Sequence, residues 1–254
     1  MRNKQTIIII LGIAAAVAML MPAQAHGQDK QAASEQQAWF EQVKLQFPTA
    51  LYQVPTDPDT AKRAERMAKN ARYDHRGAMV EDPITVFEDG GGTLSDAFQI
   101  SSAIPTAESE LIVVGKILDS NAYLSNNRKD VYSEFTVSVG EVLKYNSANI
   151  RKGSTITIDR EGGQVLYPNG KKRLYFLSEV RMPLVGKEYV LFLKRPDKSP
   201  NYEVGGGYDL SGDHAKSLNS SDLFWPYEKL TPTELMKAIR DKVPNSQDPL
   251  TPKY

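Results

Sequence analysis

Strict alternation from Val131 to Val139 leaves a half-buried β-strand as the one regular structure that sorts these side chains. Val131, Phe135, Val137 and Val139 fall on one face, with Ser133 the single interruption, and Tyr132, Glu134, Thr136 and Ser138 fall on the other. At Gly140 the phase slips, and Val142 continues the apolar pattern three residues on from Val139, which is how a strand bulges and bends. Neighbouring runs read the same way. Leu111–Ile117 is short and rich in β-branched residues, and Thr155–Asp159 alternates. Tyr189–Leu193 is apolar on both faces, which predicts burial on both sides or a place at a barrel closure. Tyr202-Glu203-Val204 is a further candidate strand. Turn residues separate these runs at Glu161-Gly162-Gly163 and at Pro168-Asn169-Gly170. The flanks of that Asn-Gly are weak, so an excursion ending in a hairpin and a tight ladder both stay open. With no helix-length segment between Glu110 and Lys194, the pattern predicts a small barrel or sandwich.

The order of these motifs resembles a family. Glu110-Leu111-Ile112-Val113-Val114-Gly115, then Phe135-Thr136-Val137 leading to Glu141-Val142-Leu143-Lys144, then Ile156-Thr157-Ile158 and Val185-Gly186-Lys187-Glu188-Tyr189, resemble the netrin-like domain. The resemblance covers about a third of the chain and rests on strand spacing. It implies the OB-type barrel of the tissue inhibitors of metalloproteinases, and similar runs occur in exported bacterial proteins. The fold class expected is therefore mainly β: a small closed or partly open OB-like barrel with an N-terminal helical extension and one C-terminal helix. Those inhibitors act through an N-terminal cysteine and are stapled by disulfides. This chain has no cysteine, so that mechanism does not carry over.

Arg2 and Lys4 precede an almost wholly apolar run from Thr6 to Met21, and Pro22-Ala23-Gln24-Ala25 follows. A basic start, a short apolar core and an Ala-x-Ala end predict a secretory signal peptide cleaved after Ala25, and a secreted or periplasmic product with no membrane span after cleavage. Removing Arg2 and Lys4 from the 31 basic residues leaves 29 against 31 acidic, a net of −2. Such a balance argues against nucleic acid or anionic lipid as a general partner. The expected organisation is a signal peptide over 1–25, a helical or irregular extension over 26–104, the barrel with its helix over 105–244, and a loose tail over 245–254.

Helix signals lie outside the strand region. Ser34 and Gln37 have capping-box spacing, and Trp39, Phe40, Val43 and Phe47 share a face before Pro48. A second helix is expected from Asp57-Pro58 to about Tyr73, with Ala61, Ala64, Met67, Ala68 and Ala71 as a thin apolar stripe. Its Lys62, Arg63, Arg66, Lys69 and Arg72 read as a solvated basic face, with Glu65 pairing Lys69 at i,i+4. Pro83–Phe87 reads as a short extended piece and Gly90-Gly91-Gly92 as a joint. Thr231, Pro232 and Glu234 form the best local signature, an N-cap, a proline at N1 and a capping box at N3. Leu235, Ala238, Ile239 and Val243 make the apolar face of that helix.

Chemistry is sparse. His26, His75 and His214 lie in three different regions without metal-ligand spacing, and there is no cysteine nucleophile or Gly-x-Ser-x-Gly elbow. No catalytic residue, metal site or cofactor is expected. The favoured reading is a non-catalytic module that binds a protein or glycan of the cell envelope. Gly205-Gly206-Gly207 reads as a turn out of the sheet. Candidate binding residues beside it are Tyr208, Asp209, His214 and Trp225, although the favoured reading of Trp225 is a plug for one end of the barrel. The alternative is a small envelope hydrolase with Asp209 and His214 as an acid–base pair, against which stands an ordinary loop hydrogen bond.

Overall fold

The computed structural model describes residues 47–53, 57–74, 79–81, 102–145, 149–176, 180–196 and 199–243. All fall in the unit Gln46–Tyr254. The expected signal peptide, the helix expected from Ser34 (its last residue Phe47 excepted), Pro83–Phe87, Gly90–Gly92, His26, His75 and the expected tail 245–254 lie outside the described residues.

The elements run β1 (Thr49–Leu51), α1 (Thr60–Ala71), β2 (Met79–Glu81), β3 (Leu111–Leu124), β4 (Val131–Lys144), β5 (Thr155–Glu161), β6 (Gly163–Leu166), β7 (Lys172–Phe176), β8 (Glu188–Lys194), β9 (Tyr202–Asp209) and β10 (Lys216–Ser217). Two helices close the described chain, α2 (Trp225–Glu228) and α3 (Pro232–Lys242). The fold is mainly β. Strands β3, β4, β5, β9 and β8 pair in that order, and β8 returns to β3, so the sheet closes on itself as a five-stranded ring. All ring contacts are antiparallel except β5 with β9. Between β5 and β8 the chain makes an excursion, the β6–β7 hairpin, whose tight turn is closed by Gly170 N–H donating to the Tyr167 carbonyl. With β1 and β2 on its edges, this hairpin forms a second, four-stranded sheet.

The alternation of β4 matches its burial, and Ser133 is buried with its hydroxyl donating to the Gly162 carbonyl at 2.7 Å. Gly140 is the bulge: Gly115 pairs with Val139 and Val114 with Glu141, which leaves Gly140 unpaired. A second register shift leaves out Leu143, and this residue, rather than the half-buried Val142, joins the core. Strand β8 is buried on both faces. Val190 and Phe192 face a cluster with α3, while Leu191 and Leu193 alternate with them on the face the ring encloses.

Gly205–Gly207 form part of β9 and not a turn. Gly206 and Gly207 pair with Phe192 and Leu191, and Gly205 is the residue left out. At Gly207 a Cβ would stand 2.8 Å from the Val190 carbonyl oxygen, so two ring backbones approach more closely there than any side chain allows.

Helix α3 has the complete capping box, Thr231 accepting from Glu234 N–H and the Glu234 carboxylate accepting from Thr231 N–H. Its Leu235 and Ile239 are fully buried against Ile112, Val190 and Phe192, each burial contributing roughly 1.5–3 kcal/mol. Phe224 fills this cluster. Trp225, expected as the plug, is 55% exposed, because its neighbour already occupies the space. Ala103 and Ile104, just before the expected start of the barrel at residue 105, are buried in the same cluster. Among the described residues no helix is long and apolar enough to cross a membrane.

Candidate functional site

Three carboxylates stand side by side across the ring. Glu134 on β4 is the register partner of Asp159 on β5, and Asp159 is the register partner of Glu203 on β9. Like charges directly opposite one another on neighbouring strands destabilise a sheet, so this row requires cations. Helix α1 supplies them. It begins at Thr60, two residues later than Asp57-Pro58 suggested, because the Asp59 side chain caps it by accepting from Ala61 N–H and Lys62 N–H.

Arg66 and Lys69 on α1 and Arg72 at its C-cap recur at i, i+3 and i+6. A helix rises ~4.5 Å over three residues, close to the ~4.8 Å between neighbouring strands, so a helix laid across the strands meets one carboxylate after another. Arg66 binds Glu134. The Lys69 ammonium lies 2.7 Å from Glu134 and 3.3 Å from Asp159. Arg72 reaches Asp159 at 3.8 Å and Glu203 at 2.6 Å. The Arg66, Lys69 and Arg72 part of the basic face is thus packed on the ring, with Lys69 9% exposed, while Lys62 and Arg63 stay exposed. Ala61, Ala64, Met67, Ala68 and Ala71, expected to pack inward, are exposed. Glu65 does not take Lys69, which is committed to the ring.

Aromatic rings extend the contact. Tyr73 stacks on Tyr132 with centroids 4.0 Å apart, and the Arg66 guanidinium sits 3.7 Å above Tyr123. The Tyr132 hydroxyl donates to the Asn70 side-chain oxygen at 2.7 Å, and Asn201 donates its amide to Asp159 at 2.7 Å. Burial pushes the Asp159 carboxyl up to about 6, against the pull of Lys69 and the Asn201 amide. Burial alone would lower the pKa of Arg66, but Glu134 and Tyr132 outweigh it and hold the guanidinium above its ordinary value.

Along α1 runs a groove of about 890 Å³, lined on the helix between Lys62 and Asn70. Its floor crosses β3, β4 and β5 at Tyr123, Glu134 and Thr157. The β3–β4 connection, with Ser125, Asn126 and Arg128, the β8–β9 connection, with Pro200 and Asn201, and Tyr52 and Asp57 ahead of α1 also line it.

The residues singled out from sequence lie elsewhere. Tyr208 is fully buried beside Phe224 and Tyr227 and donates its hydroxyl to the Ala103 carbonyl at 2.9 Å; burial raises its pKa. Asp209 takes the Lys187 ammonium at 2.6 Å and the Ser211 N–H at 2.8 Å. His214 is exposed and near enough to Glu234 to help lower that carboxyl's pKa, after the hydrogen bonds from Thr231. Among the described residues no hydrogen bond joins Asp209 to His214, and no three His, Asp or Glu side chains are grouped to hold a metal ion. Trp225 is exposed while Tyr208 is not, so the two share no surface.

From sequence, Arg63 and Arg66 read only as a solvated face and Glu134 and Asp159 only as strand residues, and Arg128 and Tyr123 carried no signal. The available signal was the i, i+3, i+6 spacing of Arg66, Lys69 and Arg72 together with single acids inside strands of apolar alternation. No family model matches the chain, and no curated protein matches it.

Proposed function

We propose that the protein is an exported, non-catalytic binding module of OB type that takes a protein or glycan of the cell envelope in the groove along α1. The position of the groove carries the reading. OB-type rings receive ligands on the face of their second and third strands, between the first–second and fourth–fifth connections. In this ring those are β4 and β5, flanked by the β3–β4 and β8–β9 connections, and all four contribute residues to the groove. Ring order and the parallel β5–β9 contact support the OB-type assignment. Export rests on Arg2, Lys4, the apolar run and Ala23-Gln24-Ala25. The carboxylates on the face are committed to α1, which favours recognition over proton transfer.

Filling the groove tests this. Thr157→Trp puts a large side chain among the groove's strand residues and leaves every ion-pairing residue in place. The folded variant is expected to lose the partners that wild type captures from cell-envelope extract. Unchanged capture would place binding elsewhere.

A further inference from the structure

Within the groove nearly every polar group already has an internal partner. Asn70, Asn126 and Asn201 are committed to Tyr132, the Met67 carbonyl and Asp159. Lys69 and Arg66 are committed to the carboxylate row. The rings are engaged as well, Tyr123 by Arg66, and Tyr52 by Tyr167 at 4.8 Å and Arg128 at 5.1 Å. A neutral sugar or a nucleobase would find no ring left free to stack on.

Outside the carboxylate row, three cations line the groove, Lys62, Arg63 and Arg128, against the two carboxylates of Asp57 and Glu65, an excess of positive charge. Lys62 is held only by Asp59 at 3.9 Å, and among the described residues neither Arg63 nor Arg128 has a carboxylate partner. Arg63 makes a single hydrogen bond, to the Asp57 carbonyl at 3.3 Å. Arg128 is held in place by its loop: its backbone is in the left-handed region at φ 60, and its N–H donates to the Ser125 carbonyl at 3.1 Å. The adjoining Asn127 N–H is anchored on Asp74 at 2.8 Å. Met67, also on the groove's lining, is 55% exposed, an apolar side chain facing water four residues on from Arg63 in α1.

Building on the groove as the binding site, we propose that its occupant is an acidic peptide segment of a partner protein, whose carboxylates meet Arg63 and Arg128 and whose apolar side chain meets Met67. Charge complementarity selects the acid. The exposed thioether selects a peptide over an acidic polysaccharide, which has no aliphatic side chain to place there.

The test measures fluorescence anisotropy of a fluorescein-labelled synthetic peptide of alternating Glu and Leu with the intact protein at low salt, with its Gln–Leu analogue and oligogalacturonate as comparisons. The Glu–Leu peptide binds, and Arg63→Gln or Arg128→Gln weakens it on the order of tenfold. Lys152→Gln, an exposed charge in the β4–β5 connection, leaves it unchanged, and Met67→Ala weakens it by a smaller factor. Absence of binding, an equal loss in Lys152→Gln, or tighter binding of oligogalacturonate than of the peptide would overturn the proposal. Should Arg128→Gln fail to fold, Arg63→Gln decides alone. Loss of envelope capture in Thr157→Trp without Glu–Leu binding defeats only the acidic-peptide assignment. Retained capture in Thr157→Trp defeats the groove itself.

Discussion

The Lys69 ammonium lies 3.3 Å from the carboxylate of Asp159, a side chain with no exposed surface, and this contact makes a helix of exposed alanines part of the folded core. Lys69 also bonds Glu134, so one lysine joins two neighbouring strands of the ring. A lysine so placed is held by geometry on every side: two carboxylates take its charge, and the strands that carry them are fixed by register.

Removing that charge leaves Glu134 and Asp159 facing each other. Lys69→Met is expected to cost about 3–5 kcal/mol, the range for breaking a buried pair from one side. Met67→Ala, which truncates the largest apolar side chain of the same helix, is expected to cost less than about 0.5 kcal/mol because that side chain is exposed. Urea midpoints of the two variants would reverse in order if α1 packed by its apolar stripe.

Asp159 also makes stability depend on pH. Its carboxyl sits at about 6 when folded against an ordinary 3.8, so the folded state binds the proton more tightly than the unfolded chain. The contribution is fully present below about 3.8 and is lost as pH rises through about 6, a change of roughly 3 kcal/mol over that window. Glu234 acts in the opposite sense, since its lowered carboxyl favours the folded state at higher pH. Subtracting the urea stability of Asp159→Asn from that of wild type at each pH isolates the first effect. A difference that stays flat, or that rises with pH, would contradict the assignment.

At the other end of the ring, adjacent aromatics differ in weight. Phe224→Ala is expected to cost about 3–5 kcal/mol and Trp225→Ala less than about 0.5 kcal/mol. Equal thermal shifts for the two variants would mean that Trp225 shares the packing.

Helix α3 contributes through its cap and its buried face. Thr231→Ala is expected to cost on the order of 1 kcal/mol. Leu235→Ala and Ile239→Ala are expected to cost roughly 2–5 kcal/mol each. Denaturant midpoints for the apolar variants equal to that of wild type would show that α3 does not hold the ring.

What the sequence determined by itself is whatever depends on near neighbours. Alternation over Val131–Val139 specifies a strand because consecutive side chains point to opposite faces, and the phase slip at Gly140 marks the bulge for the same reason. The capping box of α3 closes within four residues, Thr231 to Glu234, and was equally legible. Tertiary structure alone decided the rest. Glu134, Asp159 and Glu203 become a row only once β4, β5 and β9 pair in register, so nothing local to α1 reveals that Arg66, Lys69 and Arg72 face inward. Gly205–Gly207 has the composition of a turn, and the close approach of β8 at Val190 makes it a strand. Phe224 and Trp225 are equivalent in local pattern. Which one is buried follows from the space between α3 and the ring, a volume set by residues distant in sequence.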